Sequence, residues 1–116
     1  MDDETTTVAD LKREVARFID DREWAPKHTV LKTAVNISLE AGELLQEFAW
    51  VEGRDADHRL VERREKIEDE LADIITSALA FARTCNIDIT TAFERKIRKN
   101  ELKYPVDQVK GKYVKY

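Results

Sequence analysis

The residues that usually punctuate or cross-link a chain are scarce here. Among 116 residues there are one cysteine, three glycines and two prolines. A lone Cys85 excludes an internal disulfide framework and suits a reducing compartment. It follows an apolar helical stretch, where it reads as packing rather than as a nucleophile. With so little turn-forming material, the elements between turns must be long. No stretch reaches the roughly 18 uncharged apolar residues that a membrane span needs. The opening MDDETTTVAD lacks the basic and apolar regions of a signal peptide. The expectation is a cytoplasmic protein with no membrane partner. Two unpaired histidines and one cysteine leave no zinc donor set.

What is present is charge laid on helical periodicity. The chain is 42% hydrophobic and 38% charged, a composition that reads as all-α, and its length suits one domain over 1–116. Residues 1–94 carry 12 Lys and Arg against 22 Asp and Glu, whereas residues 95–116 carry eight against two. An acidic body repels a nucleic-acid polymer, while the basic tail can pin itself to that body or supply cations to an anionic substrate held there.

Apolar spacing and breaker residues predict four helices, at about 7–22, 29–51, 58–85 and 89–102, followed by a tail over 103–116. In the first, Val8, Leu11, Val15, Phe18 and Ile19 recur at helical spacing. Pro26 ends it; Gly53 and Asp57 serve as stop and start signals between the second and third. Asn86 and Asp88 break and recap the chain, and Thr91 with Glu94 fits a capping box for the fourth helix.

Two acid pairs stand inside apolar stretches: Glu40-x-x-Glu43 in SLEAGELLQEFAW and Glu70-x-x-Asp73 in EDELADIITSALAF. Residues three apart share a helix face. At about 100° per residue, Thr33, Asn36, Glu40, Glu43 and Glu47 line one stripe, flanked by Val35 and Leu39 on one side and Ile37, Leu44 and Phe48 on the other. Lys66, Glu70, Asp73 and Ser77 form a similar stripe bordered by Ile67, Ile74 and Phe81. Glu62, Glu65 and Glu68 have the same spacing without apolar flanks and read as solvated surface. Four carboxylates facing each other require a cation. All-oxygen donors suit Mg²⁺, with Mn²⁺ as a substitute. A di-iron bundle would need Glu-x-x-His, and neither His28 nor His58 stands three after a candidate Glu.

At SLEAGELLQEFAW, DELADIITSALAFA, IDITTAFERKIRKNELKYP and the final KGKYVKY, the chain resembles the MazG-like all-α nucleotide pyrophosphohydrolases, on the side of the dCTP-pyrophosphatase-like branch. The likeness runs from Glu23 to Tyr116. It rests on Glu-x-x-Glu, Glu-x-x-Asp, Lys-x-x-x-Asn and Lys-Tyr-Pro occurring in that order. The resemblance implies a four-helix bundle completed by dimerisation, and Mg²⁺-dependent hydrolysis of nucleoside triphosphates to monophosphate and pyrophosphate in nucleotide-pool house-cleaning. It implies Glu40, Glu43, Glu70 and Asp73 as metal ligands, and Lys96, Asn100, Lys103 and Tyr104 as the residues that address phosphates and sugar. Trp24, His28 and Trp50 fall where that branch surrounds the base. Ser77 departs from the pattern, standing where some relatives carry an aromatic that shapes the base pocket. The branch implies a preference for cytosine.

The chemistry agrees with that resemblance. Mg²⁺ neutralises phosphate oxygens and aligns in-line attack, and one carboxylate, Glu43 or Glu70, takes a proton from the attacking water. Lys96 and Lys103 would stabilise the leaving pyrophosphate, and the base would stack on Trp24 or Trp50. A homodimer, or a tetramer made of two dimers, would complete the core. Two alternatives stand beside this reading. One is a non-catalytic helical module whose acids pair with Arg63, Arg64, Lys66 or the tail. The other is the related phosphoribosyl-ATP pyrophosphohydrolase activity, whose bulkier substrate fits the paired tryptophans less well.

Overall fold

The computed structural model describes residues 1–113. Those residues form helices and connecting turns, with no strand among them, as the composition and periodicity predict. They divide into two compact units, 1–86 and a second that begins at Ile87.

In the first unit, α1 (Val8–Asp21) opens on a reciprocal cap. The Asp10 amide donates to the Thr7 hydroxyl at 3.1 Å and the Thr7 amide donates to the Asp10 carboxylate at 2.9 Å. It closes on a left-handed residue, Glu23 at φ 54°. There the Trp24 amide donates back to the Ile19 carbonyl and the Glu23 amide to that of Asp20, each at 3.0 Å. These are the paired bonds of a Schellman end. A 3₁₀ turn over Ala25–Lys27 holds Pro26 and leads to α2 (Val30–Gln46).

The second predicted helix stops earlier than 51. Beyond Gln46 the bonds tighten to i→i+3 spacing, and Trp50, at φ 63°, makes the left-handed turn. Gly53 is not the stop; it opens a 3₁₀ turn, and Asp57 lies in the first turn of α3 (Ala56–Glu62) instead of preceding it. The third predicted helix is two helices, α3 and α4 (Arg64–Thr84), broken at Arg63, whose φ and ψ are −122° and 30°. No Gly or Pro marks that break. The structure shows instead that the Arg63 Nε donates to a Glu47 carboxylate oxygen at 2.7 Å.

α4 is the central element: α2 packs along it, and α1 and α3 pack on it as well. α2 and α4 run antiparallel, since Glu47 beyond the end of α2 meets Arg63 before the start of α4, while the Thr84 hydroxyl at the far end donates to the His28 carbonyl at 3.2 Å. Thr33 has no solvent exposure, and its hydroxyl is satisfied by the Thr29 and Val30 carbonyls. On the α1 side, Arg83 donates to both carboxylate oxygens of Asp20 at 2.9 Å. Among the described residues, buried apolar side chains are few: Ile19, Ile67, Leu79, Ala80 and Ala82.

The second unit contains α5 (Ile89–Lys103) and a short α6 (Val106–Val109), so a helical turn lies within the predicted tail. Asp88, not Thr91, occupies the cap position of α5, and the Thr91 hydroxyl donates to the Asp88 carboxylate at 2.7 Å. The expected Thr91–Glu94 box is therefore replaced by an Asp88–Thr91 pair. Residues 114–116 of the tail lie outside the described residues.

Because Thr7 satisfies an otherwise orphaned amide of α1, Thr7→Ala is expected to destabilise the protein by about 1 kcal/mol. Urea unfolding followed by far-ultraviolet circular dichroism measures this directly.

Candidate functional site

Glu40 and Glu43 project from α2, and Glu70 and Asp73 from α4. The antiparallel packing brings an oxygen of each within 4.8 Å of the others. The four are not equivalent. Glu70 is 5% exposed and Glu40 half-buried, whereas Glu43 and Asp73 are exposed. The cluster thus has a closed floor, Glu40 and Glu70, and an open rim, Glu43 and Asp73.

Floor carboxylates cannot rely on water to stabilise their charge. One oxygen of Glu40 and one of Glu70 are buried without a hydrogen-bond partner. Burial, foremost, pushes the Glu40 carboxyl above its ordinary value of 4.5, and a hydrogen bond with Glu43 and the charges of Glu43, Asp73 and Glu70 push it further the same way. Unpartnered buried oxygens are rare in native proteins and need a reason. A cation held by an all-oxygen donor set supplies one, and the residues present fit a hard divalent ion.

Two ion pairs continue the line of acids towards Arg63. Lys66 Nζ lies 3.1 Å from the other Glu70 oxygen, and Arg63 holds Glu47. The hydrogen bond from Arg63 depresses the Glu47 carboxyl, and the hydrogen bond to Glu70 raises the Lys66 ammonium.

In the other direction along the two helices lies a cavity of about 90 Å³. Asn36 stands four residues before Glu40 and Ser77 four after Asp73, about 6 Å along antiparallel helices, and both line it. Phe18, Trp24, His28 and Thr76 supply further walls. Trp24 is placed by the Schellman end of α1 and meets Phe18 edge-to-face, with ring centroids 5.9 Å apart. The Arg22 guanidinium lies 3.8 Å from the centre of the Phe18 ring. His28 Nδ1 lies 2.9 Å from the Trp24 carbonyl. A carbonyl only accepts, so Nδ1 carries the proton, and in the neutral ring Nε2 is then an acceptor.

Of the residues read from the sequence, the structure brings the four acids together, and gathers Trp24, His28 and Ser77 around one cavity. Trp50 does not line that cavity; it is fully exposed at the end of the α2 segment. Lys96, Asn100 and Lys103 form a strip along α5, with Tyr104 just past its end, all within the second unit. In the sequence Phe18 stands out only as one of the apolar residues at helical spacing, and Thr76 carries no signal. A wall residue on α1 and a core residue share the same periodicity, so no local signal separated them.

A model of the MazG-like family matches residues 35–116. The chain belongs to the MazG-like family. Its fold agrees: a solved pyrophosphatase from Archaeoglobus fulgidus is 32% identical, with 90% of this chain and 98% of that one aligned at a TM-score of 0.82. The chain is also similar to dCTP pyrophosphatase 1 of Bos taurus, 30% identical, and to that of Rattus norvegicus, 28% identical, in each case over 95% of this chain. It spans 66% of the length of these curated relatives. The all-α MazG-like reading of the sequence is thereby borne out. No helix among the described residues is long and apolar enough to cross a membrane.

The buried floor carries a stability consequence. Glu40 has a raised pKa in the folded state, so its favourable contribution is complete below the ordinary value and is lost as pH rises through the folded one. Glu40→Gln is accordingly expected to raise the melting temperature of the metal-free protein by a few degrees at pH 7 to 8 and to leave it little changed near pH 4. Thermal melts in chelator across that range check it; equal shifts at both ends would contradict the assignment.

Proposed function

We propose that the chain hydrolyses nucleoside triphosphates to monophosphate and pyrophosphate, with a divalent cation among Glu40, Glu43, Glu70 and Asp73 and the base in the Trp24–His28 cavity. The observation that carries this is the four-carboxylate cluster with two orphaned oxygens, with an aromatic-walled cavity one helical turn away. Family membership and relatives named as pyrophosphatases support the reaction class.

A bound Mg²⁺, or Mn²⁺ in its place, would neutralise phosphate oxygens and hold the anhydride for in-line attack. The chain's own groups do the rest. Glu43 sits at the solvent-facing rim, in reach of a water that attacks the α-phosphorus, and takes its proton. Glu70 is less suited, being buried and engaged by Lys66. Bond breaking then releases pyrophosphate from the α-phosphorus. By the family pattern, Lys96 and Lys103 would stabilise that leaving group and Asn100 and Tyr104 would address the sugar. Trp24 supplies a stacking face that holds bases with little discrimination, and His28 presents an acceptor to a base edge. Deoxycytidine triphosphate leads the candidate substrates because the curated relatives carry that name.

A purely structural salt-bridge network accounts for less. It explains Glu47 with Arg63 and one oxygen of Glu70 with Lys66. It leaves the buried Glu40 oxygen without a partner.

We also propose a homodimer, or a dimer of dimers, formed through the back of α2. At about 100° per residue, Leu31, Val35 and Leu45 point away from the acid cluster, with small residues Ala34, Ser38 and Gly42 between them. Leu31 is 75% exposed and Leu45 is 72% exposed. A lone chain with so small a core gains most by covering this face.

Pyrophosphate release from a panel of dNTPs and NTPs, with and without Mg²⁺, tests the reaction. Glu40→Gln and Asp73→Asn are each expected to lower activity by at least about 100-fold, since even outer-shell changes at metal sites cost 10- to 100-fold. Activity that survives both would sink the assignment. For assembly, Leu31→Lys combined with Leu45→Lys is expected to shift the species seen by analytical ultracentrifugation towards monomer; an unchanged sedimentation coefficient would exclude this face.

A further inference from the structure

Lys66 sits where a surface ion pair alone would give little reason to place it. It precedes Glu70 by four residues on α4, and a lysine N-terminal to its glutamate is the weaker order for a helical pair. Its side chain is half exposed, yet its ammonium lies 3.1 Å from an oxygen of Glu70, whose side chain is only 6% exposed. It therefore reaches from solvent to the floor of the acid cluster. One Glu70 oxygen is engaged while the other is buried without a partner, as is an oxygen of Glu40. The ammonium compensates part of the cluster's charge and leaves part uncompensated. Glu47, the nearest alternative acid along the stripe, already holds Arg63 at 2.7 Å.

We propose that Lys66 is the resident counter-cation of the acid cluster: it neutralises Glu70 while no metal is bound, is displaced when a divalent cation takes Glu70, and so holds down the affinity of the site for metal alone. This rests on the metal-site reading above and adds a residue to it that binds no metal. Two cations cannot share one carboxylate oxygen at about 3 Å without strong repulsion, so metal entry and the Lys66–Glu70 contact compete. Lys66 remains charged throughout, and the competition requires only that its flexible stem swing outward.

Mn²⁺ titration followed by electron paramagnetic resonance, on the full chain without nucleotide and at low ionic strength, tests this in wild type, Lys66→Met and Lys66→Arg. Lys66→Met is expected to bind Mn²⁺ about tenfold more tightly than wild type, a modest share of the Coulomb energy at such distances. Lys66→Arg, which keeps the charge, is expected to resemble wild type. In thermal melts, the Met variant is expected to fall below wild type in chelator and to approach it at saturating Mn²⁺. A folded Met variant whose Mn²⁺ affinity is unchanged or weaker overturns the proposal. A Met variant that is unfolded in chelator and regains helix on adding Mn²⁺ supports it, and one that does not regain helix overturns it. Failure of wild type itself to bind Mn²⁺ would remove the metal-site reading, and this inference with it.

Discussion

Mutual repulsion among Glu40, Glu43, Glu70 and Asp73 is the constraint around which the first unit is arranged. Packing α2 against α4 buries apolar surface and, by the same motion, forces four carboxylates to within 4.8 Å of one another. Hydrophobic burial at about 25 cal/mol per Å² drives that approach, while charge opposes it. The compromise is visible in the side chains. Glu40 and Glu70 are drawn inward with oxygens left unpartnered, Glu43 and Asp73 stay at the wet rim, and Lys66 and Arg63 attend the acids at one end of the stripe. A protein selected for stability alone would replace the floor carboxylates with apolar groups, so their retention belongs with the chemistry proposed for them.

The adjoining cavity is built by helix ends more than by helix faces. Left-handed Glu23 turns the chain at the end of α1, which carries Trp24 back over Phe18 and sets the Trp24 carbonyl against His28. Pro26 and the short 3₁₀ turn then fix the approach to α2. Trp24 and His28 are thus held in place by the turn itself, as the base site proposed above requires. Preorganisation of this kind removes ordering entropy from binding.

Much of this was legible beforehand because helical periodicity is local. The two acid pairs were separable from Glu62, Glu65 and Glu68 by their apolar flanks, and the starts of α1, α2 and α5 followed from spacing and breakers. Other features were hidden for definite reasons. The break at Arg63 carries no Gly or Pro; it coincides with an ion pair to Glu47, sixteen residues earlier. Two left-handed positions, Glu23 and Trp50, are not glycine, and the turn credited to Gly53 belongs to Trp50, whereas the break read at Asn86 is the left-handed residue there. Asp88, read as recapping the chain, does hold the cap position of α5, but the Thr91 hydroxyl turns to the Asp88 carboxylate instead of forming the Thr91–Glu94 box.

The sequence by itself determined that the chain is helical, that two faces each carry a carboxylate pair hemmed by apolar residues, and that the motif order is that of the MazG-like family. Those properties follow from spacing along one helix at a time. Tertiary structure alone decided which oxygens are buried and orphaned, that Lys66 reaches the floor, that Phe18 and Thr76 join Trp24 and His28 around one cavity, and that Trp50 does not. Each of these depends on the antiparallel offset of α2 and α4 or on the path of a helix end. Such offsets arise from packing between residues far apart in the chain, and no local pattern records them.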